Sequence, residues 1–439
     1  MKRKTWMAAS VMATALLAAM LTLAGCGFPG QNGGADGGMR TFITAKPFIS
    51  VWDTRIPTTD GSASNQVRLP LVSDGTYNFT VAWGDGKTNV ITAYNDPAVT
   101  HTYAAEGVYT ITISGTFKGF RFSFGGDKNK LLEIKQFGVL QLVDFYGGGY
   151  FMGCQYLVIT ATDDLNLCGI SNMDAAFLGC SSLTTVPSMN NWNMSCVKDM
   201  NYMFYGCHNF NQDIGKWNVS NVTDMSMMFA TAWSFNKDIQ SWNVSKVTNM
   251  NGMFVKAEKF NQFIGNWNVS NVTDMSFMFE DAIAFNTYIG GWNVSKVTTF
   301  WNMFSGATAF NQYIGDWNLA SATNLGVMFA YATSFNQYLD KWNVSKVTNM
   351  TQMFFHATAF NNEVGSWNVS NVTDMTQMFE GATLSTTNYD KLLNGWSART
   401  VKTGVVFSGG NSKYKNGAAG RAKLINQYGW TITDGGLAP

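Results

Sequence analysis

The chain is short of the residues that most chemistry requires. Only three His occur in 439 residues (His101, His208 and His356), too few and too dispersed for a His-based metal or catalytic cluster. Charged residues make up 13% and the formal net charge is +1, so there is no electrostatic case for nucleic acid as a partner. The carboxylates are scattered and change from one segment to the next. A glycan-cleaving enzyme needs two that converge in a cleft, so no enzymatic activity and no cofactor are expected. Six Cys are present, without the tight paired spacing of a zinc site. What is abundant is aromatic and sulfur-containing bulk: 15 Trp, 32 Phe and 24 Met, a load that only a regular, deeply packed core accounts for.

The first residues carry a targeting pattern. Lys2, Arg3 and Lys4 precede an apolar stretch from about Trp6 to Leu23 that ends in Leu23-Ala24-Gly25-Cys26. Such a segment is removed during export and is not a membrane span. The Leu-Ala-Gly-Cys ending resembles the bacterial lipobox, which implies that Cys26 becomes the lipidated first residue of the mature protein. Without its n-region the chain holds 26 Lys+Arg against 28 Asp+Glu and is close to neutral. Residues 1–25 are thus expected as signal peptide and 26–39, with six Gly from Gly27 on, as a tether.

Residues 40–128 alternate apolar and polar positions between turn signals. Tyr77 to Trp83 reads as a strand running into the turn Gly84-Asp85-Gly86, and Val108 to Ile113 as another. With His101-Thr102-Tyr103, Gly107 and Tyr109-Thr110, this set resembles the polycystic-kidney-disease (PKD) type β-sandwich, implying a spacer or binding module. Asp85 and His101 invite an acid–base reading, but a turn aspartate bonding its own backbone is commoner.

A 25-residue repeat dominates the chain beyond this β-rich segment. Trp recurs at 192, 217, 242, 267, 292, 317, 342 and 367. The Phe of a Met-Phe pair recurs at 204, 229, 254, 279, 304, 329, 354 and 379, and a Phe-Asn pair begins at 210, 235, 260, 285, 310, 335 and 360. Trp217-Asn218-Val219 points two side chains to one face, as a short strand does. Val222, Met225, Met228 and Phe229 fall at helical spacing behind a Thr223 cap. No single unit can bury its own face, so the units must stack.

The spacing of Ile214, Trp217, Val219 and Val222, and the change from Phe-x-Gly-Cys (Phe151, Phe177) to Met-Phe-x-x-Ala, resemble the BspA-type surface leucine-rich repeat family. That resemblance implies a cell-surface protein associated with adhesion to host proteins or other microbes. The expected fold class is therefore a leucine-rich-repeat-like solenoid over 129–385, each coil a short strand plus a helical arc. A small β-sandwich precedes it and an α/β cap closes it over 386–439.

Two constellations stand out. Cys154, Cys180 and Cys207 share a repeat position that later units fill with Ala232 through Ala382, so a small buried side chain is wanted there. Cys168 and Cys196 fall where a disulfide could join adjacent units. In the second, the position of Asp213 and Asp238 becomes Phe263, Tyr288, Tyr313 and Tyr338, then Glu363. This column is either a stabilising cross-unit ladder or an exposed binding stripe for protein or glycan. The expected protein is thus lipid-anchored and extracytoplasmic, on the cell surface or outer membrane. It would bind ligands on host or neighbouring cells, the alternative being a self-associating structural protein.

Overall fold

The computed structural model describes residues 45–439, which form one compact unit. The expected signal peptide, tether and Cys26 lipidation site, together with residues 40–44, lie outside the described residues.

The unit begins as a sheet. Seven strands take part: β1 (Phe48–Asp53), β3 (Leu71–Ala82), β4 (Thr88–Ile91), β6 (Val108–Phe120), β7 (Leu131–Gln136), β8 (Leu140–Gln141) and β9 (Val158–Ile159). Their order is β4-β3-β6-β1-β7-β9, with β8 also on β6. Two more, β2 (Gln66–Arg68) and β5 (Thr100–Thr102), make a separate antiparallel ribbon. The strands form where the alternation is clean: in β3 Tyr77, Phe79 and Val81 are buried while Asn78 and Thr80 face out. The turn after β3 needs its glycines, since Gly84 and Gly86 sit at φ of +87° and +84°.

The sheet changes character at its far edge. Pairings among β1, β3, β4, β6 and β7 are antiparallel, whereas β6–β8 and β7–β9 are parallel. Parallel pairing then continues by single residues along the repeats: Asp199 bridges Asp224, which bridges Asn249, and so on through Asp374.

The expected solenoid of strands and helical arcs is not what the chain builds. The described residues hold only two α-helices, α1 (Thr386–Ser397) and α2 (Ala418–Tyr428), both beyond the repeats. Where the arc was expected, the backbone N–H groups go to the next layer and not to the carbonyl four residues back. Met225, Met227, Phe229 and Thr231 donate to the carbonyls of Asn249, Asn251, Met253 and Val255. Between them, Met228, Ala230 and Ala232 close tight turns onto residues three back. This path places Met227 and Thr231 at φ of 55° and 56°. The same two positions recur as Lys256, Phe277, Asp281, Val327 and Tyr331, or as glycine at 206, 252, 306 and 381. A left-handed non-glycine residue costs about 1 kcal/mol or more, which the cross-layer bonds offset. Burial at 222, 225, 228, 229 and 232 follows from this turn path as readily as from a helix.

The expected Trp-x-Val strand is a turn as well. Trp217 N donates to Ile214 O, Val222 N donates to Val219 O, and Asn218 Oδ1 accepts from Ser220 N. Cross-layer bonding here comes from the side chains. From Trp217 to Trp367 each indole Nε1 donates to a carbonyl of the preceding layer, as Trp242 does to Ile214 and Trp342 to Ile314, whereas Trp192 donates to Ser188 Oγ. The Asn of each Phe-Asn pair accepts the backbone N–H of the next one, from Asn211 through Asn361. Polar groups of the turns thereby find partners one layer away.

The C-terminal segment carries this pattern on and does not form a separate α/β cap. Met375 bridges Phe407, and β10 (Val406–Ser408) pairs in parallel with β11 (Thr431–Thr433). Trp396 of α1, fully buried, bonds Val364 O as the repeat tryptophans bond their neighbours. Ser385 caps α1 through Asn388 N, and Gly429 ends α2 in the left-handed conformation. One continuous apolar core runs from Phe48 to Trp430. No helix among the described residues is long and apolar enough to cross a membrane.

Candidate functional site

The aromatic column lies on the surface. Phe263, Tyr288 and Tyr338 are exposed by 41%, 49% and 65%, and Tyr313 is half-buried. The residue that follows each of them (Ile264, Ile289, Ile314 and Leu339) is fully buried, which turns the ring outward. The buried tryptophans stack at centroid distances of 6.1–6.4 Å with near-parallel planes. No ring contact of that kind joins the members of the column among the described residues. Each of the first three rings instead lies against the glycine two residues on. A Cβ on Gly265, Gly290 or Gly315 would come within 2.7–2.8 Å of the ring of Phe263, Tyr288 or Tyr313. The same Cβ would meet the next layer's carbonyl at 2.4–2.5 Å, so these glycines serve both the stack and the rings. Tyr313 Oη donates to Asp316, which also pairs with Lys341 at 2.8 Å.

The column's next member, Glu363, borders an open groove of about 700 Å³ lined also by Ser366, Asp390, Lys391, Asn394 and Arg399. Its charges are mostly committed. Glu363 pairs with Lys391 at 2.6 Å. Both Asp390 oxygens accept backbone N–H groups from Lys415 to Gly417, ahead of α2. Arg399 donates through one terminal nitrogen to Ser366 O at 2.6 Å, while its buried Nε has no partner. No sequence signal marks this groove as a whole, because Lys391, Asn394 and Arg399 lie on and just after α1, where the repeat stops. Glu363 alone points toward it, as the column's last member.

A second surface is equally silent in the sequence. Trp233 is exposed by 43% with His208 stacked on it at 3.8 Å, and Tyr331 stacks on His356 at 5.3 Å. Nearby, Tyr202, Tyr205, Met227, Lys256 and Phe277 line a groove of about 330 Å³. These residues occupy repeat positions whose identity varies, so no periodic signal marks them.

The remaining sequence candidates have structural settings. Asp85 and His101 do meet, Nε2 to Oδ2 at 2.9 Å. Asp85 also accepts Lys87 N as a turn aspartate, and His101 is buried flat against Trp83 at 4.7 Å. Burial raises the Asp85 pKa, but the bonds from His101 and Lys87 outweigh it and the net shift is downward. Cys154, Cys180 and Cys207 are buried free thiols, the latter two donating to Phe151 O and Phe177 O. Burial pushes all three well up. Cys196 is a free, exposed thiol, so it is not joined to Cys168. Asp174, Asp199 and Asp224 fall in three successive layers. Burial, then the charges of Asp199 and Asp224, push Asp174 up to about 6. Among the described residues no group of His, Cys, Asp and Glu is arranged to hold a metal ion.

No curated protein and no solved structure matches the chain. The family described as "Mycoplasma protein of unknown function, DUF285" matches residues 171–292, 232–337 and 284–396, together just over half of the sequence. The chain, with its stacked 25-residue layers, therefore belongs to the DUF285 family.

Proposed function

We propose that this protein is a non-enzymatic, lipid-anchored surface protein that recognises protein or glycan ligands on host or neighbouring cells. One observation carries the reading: a file of four aromatic side chains, one per layer, three exposed to solvent and Tyr313 half-buried, none of them in the core. Exposed contiguous aromatics mark interaction surfaces, because burying their large apolar faces against a partner releases ordered water. In this reading Cys26 carries the lipid that holds the protein to the membrane, the Gly-rich segment lifts the body away from it, and the PKD-like strands act as a spacer. The resemblance to BspA-type surface proteins points the same way. No nucleic acid partner, metal or cofactor is invoked.

The test is a triple variant, Tyr288→Ser, Tyr313→Ser and Tyr338→Ser, in the full chain. Surface changes of this kind usually stay within about 0.5 kcal/mol each, and Tyr313 also gives up its bond to Asp316, so the melting temperature should move by only a few degrees. Binding to cells should be lost. If melting falls and cell binding merely tracks it, the column is structural and the proposal is wrong. Light scattering on the same samples separates the rival reading, since a self-associating protein would lose assembly and not cell binding.

A further inference from the structure

The aromatic file and the groove lie on one line, because Glu363 holds the file's position in the layer after Tyr338 and borders the groove. We infer that this line is a track for an extended neutral glycan chain, whose sugar rings stack on Tyr288, Tyr313 and Tyr338 and whose end bonds Arg399; this rests on reading the column as a recognition surface.

The shape of the surface decides between a glycan and a protein. A stable protein partner covers about 800 Å² on each side around a desolvated centre several residues across. The file here is one side chain wide. Gln262, Thr287, Gln312 and Gln337 precede its members; the three Gln amides donate from Nε2 to Asn236, Asn286 and Asn311 and keep Oε1 as an acceptor. Asn266, Gly291, Asp316 and Lys341 follow its members by three residues. That arrangement, apolar rings among hydrogen-bonding side chains, matches a sugar chain. Each pyranose has an apolar C–H face that packs on an aromatic ring and a rim of hydroxyls that seek polar partners. Beside the file, equivalent tryptophan rings of adjacent layers stand 6.1–6.4 Å apart, the scale of one sugar unit in an extended chain. Successive rings can thus meet successive sugars.

Hydrogen-bonding capacity is left over where a glycan would use it. The hydroxyls of Tyr288 and Tyr338 bond to nothing among the described residues, unlike that of Tyr313. In the groove one terminal nitrogen of Arg399 is held by Ser366 O, which fixes the guanidinium, and the other makes no bond among the described residues. A ligand oxygen can accept from that second nitrogen. Neighbouring charges cancel in pairs, Glu363 with Lys391 and Asp316 with Lys341, which suits a neutral ligand.

The experiment is calorimetric titration of the full chain with β-1,4-linked hexasaccharides of glucose, N-acetylglucosamine and mannose, with the disaccharides as length controls. At least one hexasaccharide should bind, and its disaccharide should bind at least about tenfold more weakly. Tyr288→Ser with Tyr338→Ser should weaken that binding by about tenfold or more at unchanged melting temperature. Arg399→Gln should weaken it too, while Arg399→Lys, which keeps the charge but has a single nitrogen in place of the planar fork, should not restore it. Failure of all three hexasaccharides to bind, or binding indifferent to the tyrosine substitutions, overturns the inference. If the tyrosine variant loses cell binding while the hexasaccharides stay silent, the ligand is not a glycan of this kind, yet the recognition reading stands. If cell binding survives the tyrosine substitutions, both fall.

Discussion

Replacing Trp342 by Phe should measure what one indole contributes to holding adjacent layers together. Trp342 is 3% exposed, stacks on Trp367 at 6.1 Å and on Phe329 at 6.3 Å, and donates from Nε1 to Ile314 O at 3.0 Å. Phe keeps an aromatic ring in the stack but removes the donor and part of the ring volume. Ile314 O is not orphaned by the change, because it still accepts Trp317 N at 3.1 Å. The lost bond is therefore worth about 1 kcal/mol, the low end of the range for a buried partner. The vacated volume adds about 1–2 kcal/mol if the layers do not close around it. The expected loss is about 2–3 kcal/mol for Trp342→Phe, rising to about 4–5 kcal/mol for Trp342→Ala. Urea unfolding followed by far-ultraviolet circular dichroism reads the difference. Hydrogen exchange should place the weakening in the layers around 310–370, since each layer touches only its neighbours. A Trp342→Phe protein within about 0.5 kcal/mol of the parent would refute the claim that the tryptophan column ties the layers together.

The same structure sets three other expected outcomes. Asp174 has a folded-state pKa of about 6 against an ordinary value of 3.8. The folded state therefore holds the proton more tightly: its stabilisation is full below about pH 4, fades as pH rises to about 6, and is flat beyond. Asp174→Asn should flatten that stretch of the melting-temperature profile and stabilise the protein at neutral pH by on the order of 1 kcal/mol, a figure reduced because the group is half exposed. Lys130, buried, donates to Ser62 O, Ala63 O and Gln66 O and lies 3.6 Å from the buried Asp127 carboxylate. Lys130→Met takes the buried cation from beside Asp127, which keeps its bonds from Ser62 and Arg68, and takes a donor from three carbonyls, of which Ala63 O keeps Gln66 N. It should cost about 3 kcal/mol in urea unfolding. In thiol labelling of the native protein Cys196 should react, whereas Cys154, Cys180 and Cys207 should react only after denaturation. Native reaction of the three buried thiols would contradict their place in the core.

Much of this architecture was legible in the residues. The 25-residue spacing of Trp, Met-Phe and Phe-Asn identifies the buried columns, and every repeat Trp and Met-Phe phenylalanine is indeed buried. The Ala-or-Cys position is buried as its small side chains require. The aromatic column was also visible, because it departs from the repeat in four successive units. The groove beside Glu363 was not, since α1 reaches it only by folding back onto the last layers, and nothing periodic marks Lys391 or Arg399.

By itself the sequence determined the period, the register and the inward set of side chains, because hydrophobic burial depends only on which residues recur at which spacing. Only the tertiary structure decided the backbone between them. Spacing of three and four residues suits a helix, and it suits a chain of tight turns equally well. The choice rests on where the N–H groups of residues such as Met225, Met227 and Phe229 find acceptors. A lone unit would have to bond within itself. In the stack each has a carbonyl of the next layer within reach, and the arc opens into turns.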